Sequence, residues 1–237
     1  MERINDIRIE EKKYHDYCYD NYRLFEEGSW LYKPVKTVMD LIPVLEEKEN
    51  VKVLDLGCGV GRNSIPIAKK IKNKAGKVIC VDLLESALKH LEQYSLQYDV
   101  SEVIETVHAD IGEFNIKLEE YDLIVAVSSL EHVRSEEVLD HLLERMTKGT
   151  KRYGLHCLIV NSEVQEIDRT SNESLEAYME VNLSTNEMLQ KLEEHYRGWD
   201  ILTKVVKPLE YMISRDGKDV MLRTNAITYV ARQNLLF

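Results

Sequence analysis

Three glycines at every second position interrupt an apolar run that carries a single acid, in Val51-Lys52-Val53-Leu54-Asp55-Leu56-Gly57-Cys58-Gly59-Val60-Gly61-Arg62-Asn63. Alternate glycines let a strand-to-helix turn take positive φ and bring its backbone against a ligand, while the helix that follows offers free N–H groups. Such a loop binds a nucleotide-like molecule. The dinucleotide fingerprint requires G-x-G-x-x-G, but counted from Gly57 and Gly59 the third place is Arg62, and the spacing is G-x-G-x-G. Asp55 sets a carboxylate beside the loop, a poor neighbour for a pyrophosphate and a good one for a cation. An NAD(P)-dependent oxidoreductase is therefore the weaker reading. S-adenosyl-L-methionine, which carries an ammonium and a sulfonium, suits the loop better.

Further candidates follow the later apolar runs. Asp82, with Leu83 beside it, ends the run 77–81, about 20 to 25 residues past the loop, where a ribose-binding acid belongs. Its carboxylate can accept from both ribose hydroxyls; the alternative is a helix cap. Asp110-Ile111 closes a third run, with an ordinary turn aspartate as the alternative. A fourth run ends in Ser128-Ser129-Leu130-Glu131-His132-Val133. Ser128 or Ser129 would lie near the ligand's reactive end. Glu131 and His132 are either an acceptor-side base, since histidine suits proton abstraction near neutral pH, or a packed loop-to-helix connection. Asn63 either joins the ligand site or caps the next helix.

The elements that position these residues alternate. Strands are predicted over 51–56, 77–81, 104–108, 121–127 and 155–160, and helices over 63–71, 84–98 and 136–147. This is an α/β pattern with a doubly wound, mostly parallel sheet, whose ligands bind beyond the carboxyl ends of the strands. Ahead of the glycine loop, residues 12–45 read as two helices separated by Gly28-Ser29 and dense in aromatics, among them Tyr22, Trp30 and Tyr32. They form either packing or a substrate lid, and a lid is favoured because aromatics bind apolar or cationic substrates. In the last third, residues 165–197 hold an acidic helical insertion, 201–213 a strand, and Asp216-Gly217 a hairpin turn leading into 220–231. Residues 1–237 thus read as a single domain, with an N-terminal helical lid over 1–45 and a core over 46–237.

Asp55-Leu56-Gly57-Cys58-Gly59-Val60-Gly61 resembles motif I of the class I S-adenosylmethionine-dependent methyltransferases. The resemblance implies a Rossmann-like fold with a mostly parallel seven-stranded sheet, a C-terminal antiparallel hairpin and helices on both faces. It implies S-adenosyl-L-methionine as cofactor, held by Asp55, Gly57, Cys58, Gly59, Gly61, Asn63, Asp82, Leu83, Asp110, Ile111 and Ser128. In that family an acid such as Asp110 meets the adenine amine and the next backbone N–H a ring nitrogen. Leu130-Glu131-His132-Val133 is similar to a segment of quinone-pathway methyltransferases. Two stretches, Arg62-Asn63-Ser64 after the glycines and Leu192-Glu193-Glu194-His195-Tyr196-Arg197-Gly198-Trp199, resemble the tellurite-resistance (TehB-type) methyltransferases. That group places a His-Arg pair shortly before its hairpin turn, where this chain has Tyr211-Met212, so its acceptor does not carry over. Tyr22, Trp30, Tyr32 and Tyr211 are the candidate substrate contacts.

Composition narrows the partners. A net charge of -11 over 237 residues argues against a nucleic-acid backbone or an anionic membrane as a broad partner. Residues 1–13 lack a signal-peptide core, and no apolar run reaches membrane-spanning length. The four cysteines, Cys18, Cys58, Cys80 and Cys157, form no C-x-x-C pair and read as reduced thiols of a cytoplasmic protein, with no metal site expected. The expectation is a methyltransferase, monomer or homodimer, acting on a small-molecule acceptor by in-line displacement. A non-catalytic module binding S-adenosylmethionine or S-adenosylhomocysteine is the alternative.

Overall fold

The structure is a computed structural model, described for residues 2–215 and 218–234. The expected turn at Asp216-Gly217 lies outside the described residues. The parallel part of the sheet is β1 (Lys52–Leu56), β2 (Lys77–Asp82), β3 (Ile104–His108), β4 (Tyr121–Val127) and β5 (Thr150–Asp168). A short β6 (Ser174–Leu175) pairs antiparallel with β5. β7 (Asp200–Arg215) and β8 (Lys218–Arg232) form the antiparallel hairpin. The spatial order is β3-β2-β1-β4-β5-β8-β7. Seven strands thus make the main path, as the pattern predicts.

Side chains along a strand alternate between faces, and both faces of a parallel sheet are covered, so its central strands are apolar throughout. In β1, Val53 packs into one core layer and Leu54 and Leu56 into the other. The first layer holds α4 (Ser64–Ile71) and α5 (Glu85–Gln97); the second holds α6 (Glu136–Gly149) and α7 (Thr185–His195).

Two regions depart from the expected pattern. The N-terminal segment begins with one long helix, α1 (Glu2–Asn21), and continues as single turns, α2 (Lys36–Met39) and α3 (Ile42–Glu46). The second of the two helices expected within 12–45 is broken by Pro43, which has no N–H to donate and instead occupies the first turn of α3. The expected helical insertion over 165–197 is helical only in α7. Residues 165–168 extend β5, because β8 pairs with it as far as Asp168↔Val220. The helix starts where Ser184 and Glu187 form a reciprocal capping box.

Candidate functional site

The carboxyl ends of β1 to β4 meet at one edge of the sheet, and the predicted residues gather there. Gly57, Gly59 and Gly61 all have positive φ, at 75°, 52° and 91°. The space around them differs. A Cβ on Gly57 would lie 2.4 Å from Ser129 Cβ, so the glycine loop and the β4 exit loop are in direct contact. A Cβ on Gly61 would lie 2.4 Å from Leu91 Cδ1, so this glycine serves the packing of α5. A Cβ on Gly59 would meet the Tyr19 hydroxyl at 3.2 Å, a far looser fit than at the other two glycines.

Asp82 binds the loop itself. Its Oδ2 accepts from Gly59 N–H at 2.8 Å and its Oδ1 from Leu84 N–H at 2.8 Å. Burial pushes its pKa up, and the two N–H bonds oppose that. Leu83 beside it is a partly exposed apolar side chain, and Ile111 is buried. Asp110 Oδ1 accepts from Gly112 N–H at 2.9 Å, and Oδ2 accepts from Arg8 at 2.9 Å and Arg134 at 3.2 Å. Burial works against its charge, but these bonds outweigh it and hold the pKa low.

Asp55 is buried, and its carboxylate accepts from the Ser64 hydroxyl at the start of α4, so it braces the loop from within. Desolvation raises its pKa to about 6. Cys58 is buried, with Sγ directed to Gly59 O. Asn63 makes no cap bond to α4; its Oδ1 accepts from Val35 N–H at 2.9 Å, tying the N-terminal segment to the loop. The capping role expected for Asn63 is therefore not what its side chain does.

The β4 exit loop is strained at the exposed Ser128 and buried from Ser129 to Glu131. Ser128 takes a left-handed φ of 50° while donating its N–H to Ile159 O at 2.7 Å. Ser129 donates to Leu56 O at 2.7 Å. Glu131 is fully buried; Oε1 accepts from Asn161 N–H and Nδ2, and Oε2 has no partner. Burial pushes its pKa up. His132 donates through Nδ1 to Glu180 Oε2 at 3.0 Å. Burial alone would lower its pKa, but Glu180 and the charges of Glu11 and Glu131 push it up to about 9.

One stripe of α1, Arg8, Glu11, His15 and Tyr19, spans this edge at helical spacing. Arg8 reaches Asp110, lies 3.5 Å from Glu180 and leaves Nε without a hydrogen-bond partner. Glu11 is within electrostatic reach of His132, and His15 of Asp82. Tyr19 sits over Gly59. Trp30 joins the stripe, edge-on to His15 at 5.9 Å and to Tyr19 at 6.3 Å, and the Arg62 guanidinium lies 5.1 Å above its ring. Tyr211, half-exposed on β7, is within electrostatic reach of Arg62. Tyr22 packs on the first core layer, and Tyr32 stacks under Lys33. Sequence reasoning missed Arg8, Tyr19 and Glu180; only the first two carried a signal, their shared helical stripe.

The donor set tests whether S-adenosylmethionine suits the site. A left-handed glycine loop, an acid bonded to it, a second acid after β3 and a half-exposed Leu83 supply a cradle, two carboxylates and an apolar surface. They fit an adenosine carrying a cationic tail. Among the described residues, no group of three His, Cys, Asp or Glu is placed to hold a metal, and no helix is long and apolar enough to cross a membrane.

Comparison with known proteins agrees with this geometry. Residues 53–154 match the family model described as Methyltransferase domain. Carboxy-S-adenosyl-L-methionine synthase of Vibrio parahaemolyticus is 27% identical over 128 residues, 54% of this chain and 50% of that protein. Phosphoethanolamine N-methyltransferase 3 of Arabidopsis thaliana is 32% identical over 114 residues, 47% of this chain and 22% of that protein. The chain thus spans half or less of the length of these relatives. Among solved structures, TehB from Haemophilus influenzae superposes with a TM-score of 0.64 at 22% identity, covering 93% of this chain and 67% of that one. The N-methyltransferase NodS from Bradyrhizobium japonicum, in complex with S-adenosyl-L-homocysteine, gives 0.56 at 16% identity over 94% and 97% of the two chains. The fold is that of the class I S-adenosylmethionine-dependent methyltransferases, and the match to the methyltransferase domain model falls on residues 53–154, its glycine loop and central strands.

Proposed function

We propose that this chain transfers a methyl group from S-adenosyl-L-methionine to a small-molecule acceptor. The supporting observation is the contact between the glycine loop and the β4 exit loop, where Ser129 leaves no room for a Cβ on Gly57. It sets the loop bonded to Asp82 beside the loop that carries Glu131 and His132. When bound, the cofactor supplies an electrophilic methyl on a sulfonium. Asp82 and Leu83 hold the adenosine ribose side, Asp110 and Ile111 the adenine, and the loop backbone the methionine part, with Asp55 acting through Ser64. Most of the rate comes from aligning the acceptor and excluding water. In this reading α1 and residues 22–45 are a lid, and Trp30 and Tyr211 border the acceptor entrance. The acidic surface suits a small acceptor rather than nucleic acid or membrane, in the cytoplasm, by a monomer or homodimer.

Calorimetry with S-adenosylmethionine, S-adenosylhomocysteine and NAD, followed by labelled-methyl transfer to an acceptor panel, tests the reading. Binding of the two sulfur nucleosides with label transfer is expected. Binding of NAD alone would replace it with an oxidoreductase, and sulfur-nucleoside binding without transfer to any acceptor would favour a regulatory module.

A further inference from the structure

The segment 176–183 between β6 and α7 is fixed to the body at several points. Val181 N–H donates to Glu131 O at 3.0 Å, and Glu163 N–H donates to Leu183 O at 2.8 Å. Asn182 pairs both ways with the backbone of Val164, at 2.9 Å in each bond. This anchoring holds the Glu180 carboxylate under α1 with only 1% of its side chain exposed. A carboxylate so buried is costly unless its oxygens are engaged. One oxygen takes the His132 Nδ1–H, and the other lies 3.5 Å from Arg8 Nε. A histidine fixed through Nδ1–H presents Nε2 as the lone-pair nitrogen when neutral. His132 follows the two serines of the exit loop, of which Ser129 abuts the glycine loop.

Resting on the methyltransferase reading, we propose that Glu180 is the positioning residue for proton removal from a protic acceptor, a hydroxyl or amine, by His132. The acceptor's lone pair forms the new bond to the methyl carbon as the carbon–sulfur bond breaks and leaves its pair on sulfur. The acceptor's proton passes to His132 Nε2 and from there to solvent. The charged groups around His132 are Glu180 on the anchored segment, Glu131 in its own turn, Arg8 and Glu11 on α1, and Asp110 through Arg8. Carboxylates dominate this set, so the imidazolium is favoured and the base form is reached on the alkaline side.

The test pairs histidine NMR titration of the cofactor-free protein with pH profiles of kcat, in the native chain, Glu180→Gln and Glu180→Asp. In the native chain His132 should titrate near 9 as the Nδ1–H tautomer. In Glu180→Gln its midpoint should fall by about a unit or more, and the acid limb of kcat should move down by the same amount. Plateau kcat should drop about 100-fold, with KM within about threefold. Glu180→Asp should restore part of both shifts. An unmoved His132 midpoint, or an unmoved limb, would overturn the proposal. Methyl transfer confined to acceptors without a proton on the reacting atom would also overturn it while leaving the methyltransferase reading intact. Failure to bind S-adenosylhomocysteine would instead remove that reading, and the proposal with it.

Discussion

His132 and His156 stand beside the same sheet, and their surroundings drive them to opposite charge states. His132 lies among Glu180, Glu131 and Glu11, and its pKa rises to about 9 against the pull of burial. His156 is fully buried on β5 in an aromatic cluster with Tyr196 and Trp199, at ring distances of 5.3 and 4.8 Å, and desolvation lowers its pKa to about 3. Its partners fix its tautomer. Thr150 spends its proton on Met146 O, so His156 donates through Nε2 to Thr150 Oγ1 and accepts at Nδ1 from Tyr196. The His156, Thr150 and Tyr196 side chains thus match one another's polar atoms, whereas the exit-loop region leaves Glu131 Oε2 and Arg8 Nε without a hydrogen-bond partner among the described residues. A satisfied polar group serves stability, and an unmatched one beside the proposed cofactor loop is a candidate ligand contact.

The contrast is broken most readily by exchanging the consequences of mutation. His132→Ala should cut kcat about 100- to 10,000-fold while S-adenosylhomocysteine affinity, measured by calorimetry, stays within about threefold. His156→Leu should leave kcat of the folded fraction near native and lower stability by about 1–3 kcal/mol in denaturant titration, because it leaves the Tyr196 hydroxyl without its acceptor while Thr150 keeps its bond to Met146 O. If His156→Leu also abolished turnover, the division between the two histidines would fail.

Gly57→Ala should be the next largest effect. It forces a side chain onto a φ of 75° and against Ser129, at a cost of about 2–4 kcal/mol, with cofactor binding lost in parallel. Full stability and affinity in this variant would contradict the contact between the two loops.

A smaller effect sharpens the comparison through pH. The folded pKa of His156 lies below the unfolded value of 6.5, so the unfolded chain binds an extra proton between about 3 and 6.5. Stability should therefore fall with acidification in that window by about 1.4 kcal/mol per pH unit from this residue. His132 has the opposite sign. Its contribution is complete below 6.5 and is lost as pH rises through about 9. Urea titrations across pH should show His156→Leu flattening the acid side and His132→Gln the alkaline side.

Much of this arrangement was legible in the chain. Asp82 and Asp110 were readable because each ends an apolar run, and strand ends in an open parallel sheet meet at one edge. The doubly wound sheet follows from the alternation of strands and helices along the chain. What stayed hidden depends on contacts between segments that no local pattern records. Glu180 meets His132 across 48 positions from a segment without periodicity, and Arg8 meets Asp110 across 102. Asn63 looked like a cap because of its place before α4, but the N–H of Val35 competes for its amide oxygen and wins. Pro43 is visible in the sequence, and its missing N–H is the local signal that ends a continuous helix there.

The central claim is that Asp82, bonded to the glycine loop, holds the adenosine ribose of S-adenosylmethionine. Calorimetric titration of S-adenosylhomocysteine into the native chain and Asp82→Asn tests it most directly. A single site is expected, weakened about 10- to 100-fold in the variant by the loss of charge-assisted hydrogen bonds. Equal affinity in the two proteins, or NAD binding in place of S-adenosylhomocysteine, would contradict the account.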